Sequence, residues 1–167
     1  MSEDMSNFQQ TISIREAEIA DIPTIYALSS HFSGATEAWT QAGIEEIIKN
    51  RQGYYALIAE WNGEIIGYAL GRFAWGKLHL MDIVVKEEMR SRGIGKKMMK
   101  QLIDLAKSKT LSEVYLEVKA SNIPAIKLYQ SFAFKTRFMF RGLYDGEDGI
   151  AMYLPLSEDC RPDYIRS

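Results

Sequence analysis

The stretch from Leu78 to Ala106 places the strongest constraint on the fold, because three structural signals follow one another within it. Leu78 to Val85 is nearly all apolar, which is typical of a central strand covered on both faces. Arg90-Ser91-Arg92-Gly93-Ile94-Gly95 then predicts a glycine-bearing turn. From Ile94 onward apolar residues recur at spacings of three and four, which predicts an amphipathic helix. A strand, a turn and a helix in this order indicate an α/β fold.

The turn and the helix start also concentrate positive charge. Four cations lie there: Arg90, Arg92, Lys96 and Lys97. Basic residues in the first turn of a helix oppose its dipole and cost up to about 1 kcal/mol each. Because a helix start presents unpaired N–H groups that bind phosphate well, we expect an anion at this turn. The alternative from these residues alone is an ordinary solvated basic turn.

The glycine spacing excludes two other phosphate loops. A Walker loop has glycine where this chain has Arg90, and Ser or Thr where it has Lys97. A dinucleotide-binding turn has a third small residue where this chain has Met98. The remaining pattern, Arg-x-x-Gly-x-Gly, resembles the acyl-CoA pyrophosphate loop of the GNAT acetyltransferase superfamily. The resemblance implies that the residues of this loop bind acetyl-CoA: Arg90, Ser91, Arg92, Gly93, Ile94, Gly95 and Lys96.

A second block, Asn122 to Phe134, resembles the Asn-x-x-Ala-x-x-Leu-Tyr-x-x-x-Gly-Phe segment of GNAT enzymes. Ser121 or Asn122 is predicted to cap the helix of this block. Ala133 stands where the family usually has Gly, at a helix end that often needs positive φ. The resemblance implies that three residues of the helix contact the cofactor: Asn122, Ala125 and Tyr129.

Turn and cap signals along the rest of the chain agree with this family. Asn62-Gly63 between two apolar runs predicts a hairpin. Thr40 is predicted to cap the second helix, and Asp21 to cap the first, which would end near Ser29. The predicted element order is β-α-α-β-β-β-α-β-α-β-β.

The resemblance implies the GNAT fold, a single α/β domain at residues 11–156 with a flexible arm at 1–10 and a tail at 157–167. Its mixed central sheet would have about seven strands, mostly antiparallel and splayed at the cofactor site, flanked by about four helices. At the splay, backbone N–H groups of three residues would hold the thioester carbonyl and the pantetheine amides: Ile83, Val84 and Val85.

Finer resemblances point to the RimI-like and archaeal protein N-terminal acetyltransferases. Leu116 to Asn122 resembles their corresponding stretch, and His79 to Val85 is similar to their H-x-x-S-I-A-V strand. Asp145 to Met152 is close to their D-G-E-D-A-x-x-M segment, and Trp39-Thr40 is similar to the Trp-Ser/Thr after their first loop. The resemblance implies acetyl-CoA-dependent acetylation of protein N-terminal α-amino groups, by direct attack in a ternary complex.

The predicted substrate groove departs from that subfamily. Gly142-Leu143-Tyr144 stands where a tyrosine pair is usual, so Tyr144 is expected to supply one ring. Phe32 is predicted to line the same groove. An open groove around Tyr144 and Phe32 would favour a peptide acceptor, and a closed acidic pocket would favour a polyamine.

Acetyl transfer to an amine requires a neutral amine, a stabilised oxyanion and a proton for the departing thiolate. Tyr129 is the candidate acid, since it lies two helical turns after Asn122 and both can face the cofactor. On position alone, Tyr129 is equally a core aromatic.

Two residues are candidates for the base. Glu117 lies in an otherwise apolar strand, where burial raises the pKa of a carboxyl towards working pH, and RimI-like enzymes use a glutamate at this position. His79 has a suitable unperturbed pKa, and archaeal relatives use this histidine through a water. The alternative for Glu117 is a strand side chain that faces water. The alternative for His79 is a structural histidine whose hydrogen bonds are satisfied at a strand end. The base is therefore Glu117, His79 or both.

Composition restricts location and partners. With 167 residues, 47% of them apolar, the chain is long enough for a substantial core. Its net charge of −2 argues against nucleic-acid binding, and no apolar run approaches the roughly 18 residues of a membrane span. Met1 to Gln10 lacks the apolar core of a signal peptide, and the single cysteine, Cys160, fits a reducing cytoplasm. We therefore expect a cytoplasmic enzyme, and no residue spacing suggests a metal.

Three functional alternatives stay open. The same fold and cofactor serve acetylation of a small amine, a polyamine or a lysine side chain. A non-catalytic acyl-CoA-binding subunit is a different class, against which intact Tyr129, Glu117 and His79 argue. For the leading hypothesis the partners are protein or peptide N-termini, with an auxiliary subunit as an open addition.

Overall fold

The computed structural model describes residues 11–32 and 39–157. The strands are β1 (Ile12–Glu16), β2 (Tyr54–Trp61), β3 (Glu64–Ala74), β4 (Lys77–Val85), β5 (Glu113–Lys119), β6 (Lys135–Tyr144) and β7 (Glu147–Pro155). The α-helices are α1 (Ile22–Phe32), α2 (Gln41–Lys49), α3 (Ile94–Ser108) and α4 (Ile123–Ser131). Short 3-10 helices lie at Ile19–Asp21 and Glu87–Met89. Within these described ranges, no helix is long and apolar enough to cross a membrane.

One seven-stranded sheet has the order β1-β2-β3-β4-β5-β7-β6, which confirms the predicted α/β architecture and the central place of β4. Neighbouring strands run antiparallel, with the exception of the parallel pair β4 and β5. That pair is joined only at Leu78↔Val114 and His79↔Tyr115. Beyond these residues β4 and β5 separate, so the sheet is splayed as predicted.

Local signals predicted several elements correctly. Asn62 and Gly63 turn β2 into β3 with φ values of 51° and 78°, the left-handed pair that a tight hairpin needs. Thr40 caps α2, because its Oγ1 accepts a hydrogen bond from Gly43 N at 3.0 Å. Ala133 has φ +67°, the conformation for which the family uses glycine at this helix end.

The prediction that Asp21 caps α1 is wrong. Asp21 ends the 3-10 helix before α1, where its carboxylate accepts hydrogen bonds from Glu18 N and from both terminal nitrogens of Arg15. The hydrogen bond from Arg15 lowers the pKa of Asp21. The Arg15 guanidinium occupies both carboxylate oxygens, which would otherwise be available to cap α1. α1 then continues to Phe32, past the predicted end at Ser29.

Two apolar clusters cover the two faces of the sheet. On one face α3 packs its buried Met98 and Leu102 against β4 and β5, whereas Leu105 of the same apolar series is only half-buried. On the other face the cluster contains Ile25 of α1 and Ile44 of α2. We call the second the acceptor face, because the base candidates lie on it.

A buried ion cluster joins β4, β5 and β6. Glu113 is 3% exposed at its side chain and pairs with Arg137 through two hydrogen bonds and with Lys77 at 3.3 Å. Burial raises the pKa of Glu113, but these two cations outweigh it and leave the pKa below its usual value. Because the folded pKa is depressed, the cluster stabilises the fold above the unfolded pKa of Glu113, and this contribution is lost as the pH falls through the folded value.

Candidate active site

A cavity of about 830 Å³ opens where β4 and β5 separate. Its walls are the C-terminal half of β4, the start of α3, the end of β5, and α4. Every residue that the sequence predicted to bind the cofactor lines this cavity: Ile83, Val84, Val85, Arg90, Ser91, Arg92, Gly93, Ile94, Gly95, Lys96, Asn122, Ala125 and Tyr129. The fold therefore brings two distant sequence blocks to one concave surface.

The start of α3 has features that anion-binding helix starts share. Gly93 precedes the helix with φ +81° and ψ 10°, a left-handed conformation that reverses the chain between the loop and the helix. The first helical N–H groups have no partner within the helix, and no acidic residue lies in the first turn. A Cβ at Gly95 would lie 3.2 Å from Leu128 Cδ2, so glycine also permits close packing of α3 against α4. These features fit a phosphate group among the basic side chains of the loop.

Tyr129 lies on α4 and lines the cavity. It is 5% exposed, and its ring packs on Phe134 with centroids 5.8 Å apart. Burial raises the pKa of Tyr129, and the charge of Asp82 adds to the shift, as does Tyr144 to a smaller extent. Its hydroxyl therefore stays protonated at neutral pH. Tyr129 is thus a core aromatic that also lines the cavity and keeps its hydroxyl protonated.

The structure decides which of the two predicted residues, Ser121 or Asn122, caps α4. Asn122 Oδ1 accepts a hydrogen bond from Ala125 N at 3.3 Å, so Asn122 is the cap. Ser121 instead donates to Glu147 on β7. The cap therefore places Asn122 at the cavity wall next to Ala125.

The two base candidates form one hydrogen-bonded pair. His79 Nε2 lies 2.6 Å from Glu117 Oε2, and both side chains are about a quarter to a third exposed. The His79 ring stacks on Tyr115 with centroids 4.5 Å apart and planes 1° apart, which fixes its orientation. Glu117 lines the cavity, whereas His79 stands behind it. Of this pair, Glu117 is therefore the residue that a ligand in the cavity could contact, and His79 holds its carboxylate.

The predicted substrate residues are only partly described. Tyr144 lines the cavity, and Lys119 Nζ lies 5.7 Å from the centre of its ring. Burial raises the pKa of Tyr144, and the charge of Glu117 adds to the shift. Phe32 ends α1, and its side chain lies outside the described residues, as do the arm at 1–10, Cys160 and the tail from 158 onward.

Sequence reasoning missed two charged residues of the cavity, Asp82 and Lys119. Asp82 lines it at 8% exposure, and its Oδ2 accepts hydrogen bonds from Tyr68 Oη at 2.6 Å and Trp39 Nε1 at 3.0 Å. The available signal for Asp82 was an aspartate within an apolar strand, the same signal that identified Glu117 on β5.

A splayed mixed sheet with a cavity above a basic helix start defines the class of protein as a GNAT-type acyltransferase. The sequence model described as "Acetyltransferase (GNAT) family" matches residues 19–134. The chain belongs to this family and is an acetyltransferase.

Relatives confirm the subfamily resemblance. An N-alpha-acetyltransferase of Sulfurisphaera tokodaii is 32% identical over 157 residues, which cover 86% of this chain and 92% of the relative. The ribosomal protein bS18-alanine N-acetyltransferase of Escherichia coli is 30% identical over 150 residues, covering 86% and 97%. The crystal structure of the Escherichia coli ribosomal-protein-S18-alanine enzyme has a TM-score of 0.77 at 27% identity, over 90% of this chain and 99% of that one. Ard1 from Thermoplasma volcanium shares the fold, with a TM-score of 0.79 at 24% identity over 89% and 99%.

Proposed function

We propose that this enzyme transfers the acetyl group of acetyl-CoA to the α-amino group of a protein N-terminus, by direct attack within a ternary complex. The observation that carries the proposal is the meeting of the His79–Glu117 pair and Tyr129 around one splayed-sheet cavity. The names of the archaeal and bacterial relatives support this acceptor class. Family membership supports acetyl-CoA as the donor.

The donor would bind along β4 and the start of α3. Arg90, Arg92 and Lys96, with the first N–H groups of the helix, would hold the pyrophosphate. Beyond His79, the β5-facing edge of β4 has no strand paired to it in the described chain. Backbone groups of Ile83 to Val85 on that edge are therefore suited to bind the pantetheine amides and the thioester carbonyl.

The chemistry would use the remaining groups in order. Glu117 takes a proton from the bound ammonium, and His79 stabilises the carboxyl and passes the proton towards solvent. The neutral nitrogen then forms a bond to the acetyl carbon, and the bond from that carbon to sulfur breaks. Tyr129 donates its hydroxyl proton towards the departing sulfur. The nitrogen, now bonded to carbon, loses a second proton through Glu117, and Tyr129 regains a proton from solvent. The overall reaction thus converts an ammonium and a thioester into an amide, a thiol and one released proton.

A small amine or polyamine is the second candidate acceptor. The observation in its favour is that two carboxylates, Asp82 and Glu117, line the same cavity. A polyamine carries several ammonium groups, so more than one carboxylate would be used at once.

A thiol-release assay with acetyl-CoA tests the proposal. The acceptors are peptides with free Ser, Ala, Met or Glu N-termini, the same peptides with blocked N-termini and an internal lysine, and spermidine. We expect turnover with free N-termini only. Turnover with spermidine alone would refute the acceptor class and leave the fold and donor intact. Silence across the panel with CoA still bound would favour a binding module or a missing partner.

A further inference from the structure

Lys119 is a cation of the cavity wall to which the acid–base scheme above gives no role. It lies two residues after Glu117 on β5, and because side chains alternate along a strand, both belong to the same face. The intervening Val118 belongs to the α3 core, which places Glu117 and Lys119 on the acceptor face. Lys119 is therefore a positive group of the acceptor side, separate from the cations of the loop before α3.

A glycine opposite Lys119 makes room for an aromatic ring beside it. Gly149 on β7 pairs with Lys119, and a Cβ at Gly149 would lie 2.9 Å from Tyr144 Cε2 and 2.9 Å from Leu143 Cδ2. The D-G-E-D-A-x-x-M segment has alanine at this position, so the space is a feature of this chain. Because Gly149 has no side chain, the Tyr144 ring can lie over β7, with its centre 5.7 Å from Lys119 Nζ. The attraction between the cation and the ring holds Lys119 at the cavity wall.

The two carboxylates nearest to Lys119 along the strands are engaged elsewhere. Glu117 Oε2 lies 2.6 Å from His79 Nε2. Glu147, two residues before Gly149 on β7, accepts a hydrogen bond from Ser121. The ammonium of Lys119 is therefore placed to contact a ligand in the cavity.

The acceptor side of the cavity carries charges of both signs, since the carboxylates of Glu117 and Asp82 line it together with Lys119. A ligand that complements this wall has an ammonium group and a carboxylate close together. The Cα atoms of Glu117 and Lys119 are about 7 Å apart, two residues along a strand. An N-terminal glutamate holds its α-nitrogen and its side-chain carboxyl carbon about 5 Å apart when extended. The two charge pairs can therefore form at the same time.

We propose that Lys119 binds the side-chain carboxylate of the acceptor's first residue, so that the enzyme prefers N-terminal glutamate and aspartate. The inference rests on the proposed function and adds a specificity-determining residue to it. The α-amino group meets Glu117, as in the scheme above, while the acidic side chain reaches Lys119. A neutral first residue still reacts but lacks the second charge pair. A polyamine brings a further ammonium group towards Lys119 and is disfavoured.

The test compares two acceptor peptides that differ only in their first residue, glutamate or glutamine. Glutamine keeps the shape of glutamate and removes its charge. We expect the wild type to have a kcat/KM at least about fivefold higher for the glutamate peptide, as a hydrogen bond between charged groups provides. Lys119→Met keeps an unbranched apolar stem beside Tyr144 but removes the ammonium, so the preference should fall below about twofold. Because the result is a ratio within each variant, general loosening of the site cancels.

Three further variants make the test decisive. Lys127 is exposed on α4 and does not line the cavity, so Lys127→Met should keep the wild-type preference within about twofold. Lys119→Arg keeps the positive charge and should retain a preference of at least about threefold. Lys119→Gln replaces Lys119→Met if that variant does not fold. CoA affinity and the melting temperature report folding.

The outcomes separate this inference from the proposed function. Equal efficiency with both peptides in a wild type that acetylates free N-termini overturns the role of Lys119 alone. So does a preference that persists when Lys119 loses its charge, or one that Lys127→Met reduces as much as Lys119→Met does. A wild type that acetylates no free N-terminus overturns both.

Discussion

Replacing Tyr129 with Phe separates the hydroxyl of the proposed acid from the packing of its ring. The ring is 5% exposed and stacks obliquely on Phe134, and Phe retains both features. Folding stability should therefore change little. What is lost is the phenol O–H group of a residue that lines the cavity.

The expected magnitude follows from the environment of that hydroxyl. Burial raises the pKa of Tyr129 above that of a free phenol, whereas a thiol has a pKa near 8.5. Tyr129 is thus a weak acid, and its main effect on the departing thiolate is a charge-assisted hydrogen bond along which the proton moves. Such bonds contribute up to about 3 kcal/mol, so kcat should fall about 10²-fold. KM for the peptide and the affinity for CoA should change less than about threefold, because the interaction forms only in the transition state.

The assay is steady-state thiol release with acetyl-CoA and the best free N-terminal peptide. Tyr153→Phe is the matched control, since it removes a phenol hydroxyl from β7 at a residue that does not line the cavity. We expect that control to retain kcat within about twofold. Wild-type kcat in Tyr129→Phe would refute the reasoning and leave Tyr129 as a packing residue only.

Three further tests, made with four substitutions and one control, address the remaining parts of the molecule. Gly93→Val puts a β-branched side chain at φ +81° and should weaken CoA binding, measured by calorimetry, at least about tenfold. The control Gly63→Val, at φ +78° in the β2–β3 hairpin, should leave CoA binding unchanged. Equal effects of the two variants would contradict the assignment of the loop to CoA binding. Glu117→Gln should lower kcat about 10²-fold and His79→Ala only about tenfold, because the imidazole acts through the carboxylate; the reverse order in kinetic assays would refute the relay. Glu113→Gln should reduce the free energy of unfolding, measured in urea, by roughly 3 kcal/mol at neutral pH. It should also remove the loss of stability at acidic pH that the depressed pKa of Glu113 causes. An unchanged decrease of stability at acidic pH would argue against the buried cluster.

Signals that depend on a few adjacent residues were readable from the sequence. The Asn62-Gly63 hairpin, the Thr40 cap and the turn at Gly93 each follow from the backbone preferences of the residues themselves. Motif spacing likewise predicted the residues that line the cavity, because the loop before α3 and the start of α4 are each set by local geometry. Local reasoning failed for Asp21, because its carboxylate pairs with Arg15 on β1 instead of capping α1.

The sequence by itself determined the order of the elements, because strand and helix periods, turns and caps are local properties. Its motifs, by their resemblance to those of GNAT enzymes, indicated the family and the residues of the loop before α3 that line the cavity. Only the tertiary structure decided how the acceptor side is assembled. His79 and Glu117 are 38 residues apart, and they meet because β4 and β5 pair in parallel at His79↔Tyr115, two residues before Glu117. Asp82 reaches the same face because one extra residue in β4 reverses the alternation of its side chains. Strand register and long-range charge pairing depend on which strands become neighbours, and no local pattern in the chain encodes that choice.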